Sequence, residues 1–296
     1  MNTLSVKRLV PPVLLFAAVS VFGQAKTSVN GIVEWNKMEM RAAISLDLAS
    51  ANIKLPSGRT QGEMLIASEY LRLIRPHILN LQVDSSSTVA DLVERGEWSL
   101  PEADAFALEA HSVPPALSPD FSRLSAAYSL SIAGISAALI RHSRPSDVPR
   151  TLSPVATASY TGIIIIASES LPVHGRRGVA LTAPCLFPKI WDAGMNLIFE
   201  RNMLDSARNS MVHYAPARSI FAASPSGLSP EIAALVGDKP LRIFARGVFG
   251  IAPTDPIIDR EDALLIIASE ENRRLLREGR LAIILDDSML EDSLDN

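Results

Sequence analysis

Apolar and polar positions alternate most regularly near the middle of the chain. There Leu124, Ala126, Tyr128, Leu130 and Ile132 interleave with Ser125, Ala127, Ser129 and Ser131. A period of two over nine residues predicts a strand with one apolar and one small polar face, as in an antiparallel sheet covered on one side. The β-branched run at 29–35 (VNGIVEW) predicts an opening strand, and 38–50, which has no clean period, is read as strand-turn-strand. After Ser57 the spacing changes. Met64, Leu65, Ala67, Leu71, Ile74 and Ile78 fall near 3.6 residues apart, which predicts an amphipathic helix over 58–81, kinked or ended by Pro76. Thr88 and the serines before it cap a short helix over 89–95 that Gly96 stops, and a further short helix is read at 134–140.

The second half begins with a continuous apolar run at 160–167 (YTGIIIIA), the pattern of a central strand buried on both faces. Segments 186–190 and 195–200 flank Asp192-Ala193-Gly194, a hairpin signal, and 241–250 (LRIFARGVFG) reads as a strand with glycine bends. Residues 259–277 read as one helix ending in Arg273, Arg274 and Arg277, and 281–285 (LAIIL) as the buried strand that closes the sheet. Three prolines, three serines and three charges mark the stretch from His142 to Pro154 as a solvated linker. The expected fold class is α+β, two small domains, each a mixed or antiparallel sheet with packed helices. The boundaries are 26–142 for the first domain, 143–154 for the linker, 155–287 for the second domain and 288–296 for a tail. Ile-Ala-Ser-Glu recurs at 66–69, 166–169 and 267–270, but the first and third copies lie in helical patterns and the second follows a strand, so no duplication is inferred.

The N-terminus belongs to targeting. Lys7 and Arg8 precede an apolar run from 9 to 22, and Gly23-Gln24-Ala25 has the small residues of a cleavage site, which predicts an export signal cut between Ala25 and Lys26. With two prolines the run is too short to span a bilayer, and no later segment is a transmembrane candidate. No cysteine adjoins the cut, so the product is expected to be periplasmic and unlipidated. Composition agrees with a folded body, 48% apolar and 20% charged, and the single Cys185 excludes an internal disulfide framework. A net charge of −4 argues against sequence-independent nucleic-acid binding. Cleavage leaves 26 basic against 32 acidic residues, and five of those acids (Asp286, Asp287, Glu291, Asp292 and Asp295) crowd the last eleven positions, which reads as a mobile acidic tail.

Reactive clusters are hard to find. His77, His111, His142, His174 and His213 are scattered, without metal-ligand spacing, and no metal, cofactor or catalytic residue is predicted. Gly175-Arg176-Arg177-Gly178 is either a solvated hairpin tip or, through Arg176 and Arg177, an anion contact. Cys185 is a buried structural thiol unless a base adjoins it, and 224–229 (SPSGLS) lacks the G-x-S-x-G spacing of a nucleophile elbow. Asp259, Glu261 and Asp262 suit a helix start, and Glu270 and Glu271 suit surface pairing with Arg273 and Arg274.

Tyr160-Thr161-Gly162-Ile163-Ile164-Ile165, Ala183-Pro184, Pro188-Lys189-Ile190-Trp191-Asp192 and Gly194 together carry a resemblance. They are followed by 241–246, Thr254-Asp255, Glu261-Asp262-Ala263 and 281–286 (LAIILD). This series, over roughly 155–287, resembles exported bacterial envelope proteins related to the flagellar assembly proteins FlgT and FlgP and to lipoprotein-20-like domains. Where that pattern has Asp-Ala-Arg-Gly after the first buried strand, this chain has Ile166-Ala167-Ser168-Glu169, so a role tied to that Asp and Arg is not carried over. The resemblance implies a non-catalytic periplasmic assembly protein of the cell envelope or flagellar motor, with envelope or motor proteins as partners and homo-oligomerisation open. A periplasmic binding module for a small or anionic ligand is the alternative, and an envelope hydrolase the third reading.

Overall fold

The computed structural model describes residues 27–152 and 155–294, so the expected cleavage site at Ala25 and Lys26 lies outside the described residues. β1 (Thr27–Glu34) and β2 (Glu39–Asp47) form a hairpin in continuous register from Thr27↔Leu46 to Glu34↔Glu39. The expected strand-turn-strand at 38–50 is therefore one strand. Met40, Ala42, Ile44 and Leu46 are its buried positions, and the neighbouring pair Ala42-Ala43 blurs the alternation because alanine suits either face. α1 (Arg59–Leu79) starts at Gly58 without a side-chain cap, and Pro76 lies inside its last turn without ending it. Its buried stripe is Gly62, Ile66, Tyr70, Leu73, Ile74 and Ile78, while Met64, expected inward, is exposed.

β3 (Gln82–Asp84) and β4 (Ser87–Thr88) make a small hairpin, and Thr88 and Asp91 close a reciprocal capping box at the start of α2 (Val89–Glu94). An equivalent Ser99–Glu102 box opens α3 (Leu100–Leu108), a helix the apolar spacing alone did not reveal. β5 (His111–Leu117), β6 (Arg123–Ser131) and α4 (Ile132–Leu139) follow. β6 keeps the predicted alternation, with Leu124, Ala126 and Leu130 buried. Its neighbour β5 escaped notice because Pro114 and Pro115 interrupt it; proline is tolerated there because β5 is an edge strand, bulged between Val113 and Ala116.

The second half contains β7 (Ile163–Ile166), β8 (Leu171–Pro172), β9 (Val179–Ala180), β10 (Ile190–Asp192), β11 (Leu197–Phe199), β12 (His213–Pro216), α5 (Pro230–Val236), β13 (Leu241–Phe249) and β14 (Asp255–Ile258). It continues with α6 (Arg260–Ile267), α7 (Glu270–Arg277) and β15 (Leu281–Leu285). Seven of these strands form a mixed sheet in the order β11-β10-β14-β13-β7-β15-β12. β7 is central and parallel to both neighbours, as the isoleucine run predicts. β15 is fully buried but lies between β7 and β12, so β12 closes that edge. The single helix expected over 259–277 is two. Ser269 caps α7, and the fully buried Asn272 donates its amide to the Leu265 and Ala158 carbonyls while its oxygen accepts Tyr160 N–H. That side chain satisfies a backbone carbonyl freed by the break, which an uninterrupted helix would not need.

One expectation gains detail and one changes. The stretch after His142 has no helix or strand and exposes Arg144, Asp147 and Arg150, as a solvated linker does, yet it is also tied to the second half. His142 Nε2 lies 2.6 Å from the Leu204 carbonyl, Ser146 N–H donates to Asn202 O, and Val148 is buried. The acidic tail is a strand: β16 (Glu291–Ser293) pairs antiparallel with β1, completing a five-stranded antiparallel sheet of order β16-β1-β2-β6-β5. Leu290 and Leu294 anchor it in the core. The fold is α+β, two sheets with packed helices, and one apolar cluster runs without a break from Val29 to Leu294 through both halves.

Candidate functional site at the seam between the halves

The β3–β4 hairpin of the first half reaches into the second. Leu186 N–H donates to the Gln82 carbonyl at 3.0 Å and Phe187 N–H to the Val83 carbonyl at 2.8 Å, so the hairpin is tied by backbone bonds to chain a hundred residues away. Beside it, Gly250 adopts φ +122° and Ala252 N–H donates to Ser85 O. A Cβ on Gly250 would lie 2.4 Å from Ser85 Cβ, so this approach requires glycine for both its backbone angle and its missing side chain.

At this junction sits Asp255, at the start of β14 and fully buried. Its Oδ1 accepts Lys189 N–H at 3.1 Å and the Thr254 hydroxyl at 3.0 Å, and its Oδ2 accepts Trp191 Nε1–H at 3.3 Å. The Ser85 side chain bonds the same carboxylate from across the seam. Burial pushes the carboxyl above its ordinary range, and the four donors pull the other way. Asp255 is therefore a node joining two segments of the second half, 189–191 and 254–255, to the hairpin of the first.

A second node lies near the first. Tyr214 donates its hydroxyl to the Cys185 carbonyl at 2.9 Å and accepts Cys185 N–H at 3.1 Å. Both residues are sealed from solvent, and burial holds the thiol and the phenol well above their ordinary pKa values. The indole of Trp35, from the first half, meets the Tyr214 ring edge-on at 6.2 Å between centroids and donates Nε1–H to Asp292 at 2.8 Å. Trp35 thus links β16, the β1–β2 turn and the second half.

Two clefts flank this wall. One, of about 340 Å³, is lined by Trp35, His77, Asn80, Gln82 and Asp292, with Pro184 from the second half. His77 Nε2 is buried there without a hydrogen-bond partner, and desolvation lowers the imidazole pKa. The other, of about 300 Å³, is lined by Lys37, His213, Arg218, Ser229 and Glu231. Burial lowers the His213 pKa, and nearby Glu231 opposes that shift.

The residues singled out from sequence do not meet here. Arg176 and Arg177 occupy the tip of the β8–β9 hairpin between Gly175 (φ +76°) and Gly178 (φ +113°), as the hairpin-tip reading expected. Arg176 donates to the Ile251 carbonyl, and Arg177 is exposed. Asp259 pairs with Arg246, and Glu270 with Arg273 and Arg277. Among the described residues no three His, Cys, Asp or Glu side chains are grouped as metal ligands. Sequence reasoning assigned no role to Asp255, Trp35 or Tyr214. The one signal was Asp255 itself, an acid between Thr254 and Pro256 at the head of an apolar strand.

Residues 26–138 match the family model for the N-terminal domain of Treponema pallidum Tp0624, and residues 162–287 match the model for its second domain. The chain resembles Tp0624 in both halves. No curated protein matches it. Trp35, His77 and Ser85 lie in the Tp0624 N-terminal match, and Cys185, Tyr214 and Asp255 in the second. The seam is thus formed between the two matched regions, whereas β16 lies beyond both. No helix among the described residues is long and apolar enough to cross a membrane.

Proposed function

We propose that this protein is a non-catalytic structural or assembly component of the bacterial cell envelope, exported to the periplasm, with the flagellar motor as its candidate place of assembly. One observation carries the reading. The side chains best suited to chemistry, Cys185, Tyr214 and Asp255, are closed off from solvent and engaged in hydrogen bonds within the second half, where it meets Trp35 and Ser85 of the first. A rigid body built in this way suits transmission of contacts between neighbours. The export signal read at 1–25 and the resemblance of 155–287 to flagellar assembly proteins supply location and context. Deleting the gene and purifying tagged protein from envelope fractions tests the proposal: a motility or envelope defect with a co-purifying envelope partner is expected, and normal swimming with the protein alone in the cytosol counts against it.

A binding-module reading draws on the 340 Å³ cleft that both halves line and on the unpartnered His77 Nε2 at its wall. A ligand at a hundred times its dissociation constant raises stability by about 2.7 kcal/mol, which a thermal-shift screen detects.

A further inference from the structure

β16 turns one of its acids toward the covered side of the sheet. Side chains alternate along a strand, so Asp292 shares a face with the buried Leu294, while Glu291 and Ser293 point the other way. The Asp292 carboxylate reaches the indole of the buried Trp35 and accepts its Nε1–H through Oδ2 at 2.8 Å. That bond needs only a neutral acceptor, so it leaves the charge unused. Among the described residues no cation pairs with Asp292, and nothing else hydrogen-bonds its carboxylate. A carboxylate without a cation is stable there because Asp292 is exposed, and it lines the 340 Å³ cleft between the halves.

The other polar groups of this cleft add acceptors but no cation. The Gln82 amide nitrogen is committed to the Asp84 and Ser87 carbonyls, at 2.5 and 3.2 Å, so only its oxygen remains to be used. Desolvation favours the neutral form of the His77 imidazole, and no Lys or Arg lines the space. Pro184, Ala252 and Met289 supply apolar wall. The volume stands at the small end of the ~300–1,000 Å³ range of ligand pockets, which suits a compact molecule rather than a peptide.

We propose that this cleft takes a small organic amine, with its ammonium group on the free Oδ1 of Asp292 and its carbon body against Pro184, Ala252 and Met289. An ammonium carries three donors and no acceptor, which complements a lining of acceptors with one negative charge. A carboxylate or phosphate ligand would meet Asp292 with like charge and find no cation to hold it. The inference rests on the binding-module reading and narrows it: the charge of the cleft selects a cationic ligand over an anionic one.

Matched probes test it on the purified protein: pentylamine against pentanoate, and tyramine against hydroxyphenylacetate, each at up to about 10 mM. The members of a pair have similar carbon bodies and opposite charge. The readouts are the melting midpoint and, with isotope-labelled histidine, the His77 imidazole resonance, assigned by its loss in His77→Gln. Both amines are expected to raise the midpoint and to move the His77 resonance along saturable curves, and neither carboxylate does so. Asp292→Asn removes the charge but keeps an oxygen for the Trp35 indole. It is expected to keep the unliganded midpoint and to weaken amine binding at least about tenfold, the loss of one charge-assisted bond. Carboxylates that match the amines, or amine binding indifferent to Asp292→Asn, overturn the cationic class and leave the binding-module reading standing. An equal response to potassium chloride shows a carboxylate that attracts any cation and overturns the organic ligand. Silence of both readouts toward the amines overturns the inference, and the binding-module reading falls with it only when the carboxylates and a panel of neutral ligands also leave the His77 resonance unmoved.

Discussion

Replacing Leu290 and Leu294 together by alanine tests whether the C-terminal acids belong to the fold. Each leucine is only 4% exposed. The backbone between them is held as firmly: the Leu290 carbonyl accepts Trp35 N–H at 2.9 Å, Leu294 N–H donates to Gly31 O at 2.8 Å, and Asp292 accepts the Trp35 indole. Truncating a buried leucine costs about 2–5 kcal/mol. These two lie at the border of the core, where the cavity can partly collapse, so the low end applies and the pair should lose about 4 kcal/mol. At roughly 2–4 °C per kcal/mol for a body of this size, the melting midpoint falls by about 8–16 °C. Urea unfolding followed by tryptophan fluorescence gives the free-energy change, provided the slope against denaturant is unaltered. Asp292→Ala, which removes only the indole acceptor, should cost about 1 kcal/mol. A double variant within 1 kcal/mol of the parent would show a detached tail and refute the argument.

Two other outcomes follow from the seam. Asp255 has its carboxyl raised by burial above the ordinary 3.8, so it binds a proton more tightly folded than unfolded. Stability should therefore decline as pH rises from 3.8 through the folded pKa, and the Asp255→Asn variant should lack that component when its unfolding free energy is measured across the same range. Cys185, fully buried and with its thiol pKa driven upward, should resist an aromatic disulfide reagent in the native protein and react at once in denaturant; fast native labelling would contradict its burial.

What the sequence made legible was what depends on neighbouring residues. The Ile163–Ile166 strand, the alternation of β6 and the Thr88 cap each carry their own period or cap chemistry within a few positions. Elements that rely on distant chain were hidden. β5 is strand-forming only because its prolines face an open edge, and Glu291–Ser293 has no apolar run of its own and pairs because β1 offers an unfilled edge. The division of α6 from α7 rests on Asn272 reaching back to Ala158, more than a hundred residues earlier. The seam was illegible for the same reason. Asp255 gathers donors from Ser85, Lys189, Trp191 and Thr254, a set that exists only once both halves have folded against each other.

The pairing of β16 with β1 also sets an order of events during synthesis. Trp35 and Asp292 are 257 positions apart, so an early strand waits for a segment far along the chain before its free edge is filled. Contacts so remote in sequence form late, because the whole intervening chain must first be brought to closure. A polypeptide interrupted before Leu290 would leave the β1 edge open, where another unfinished chain can pair with it. Completion of the first sheet therefore serves as a built-in check that the chain has been made as far as β16.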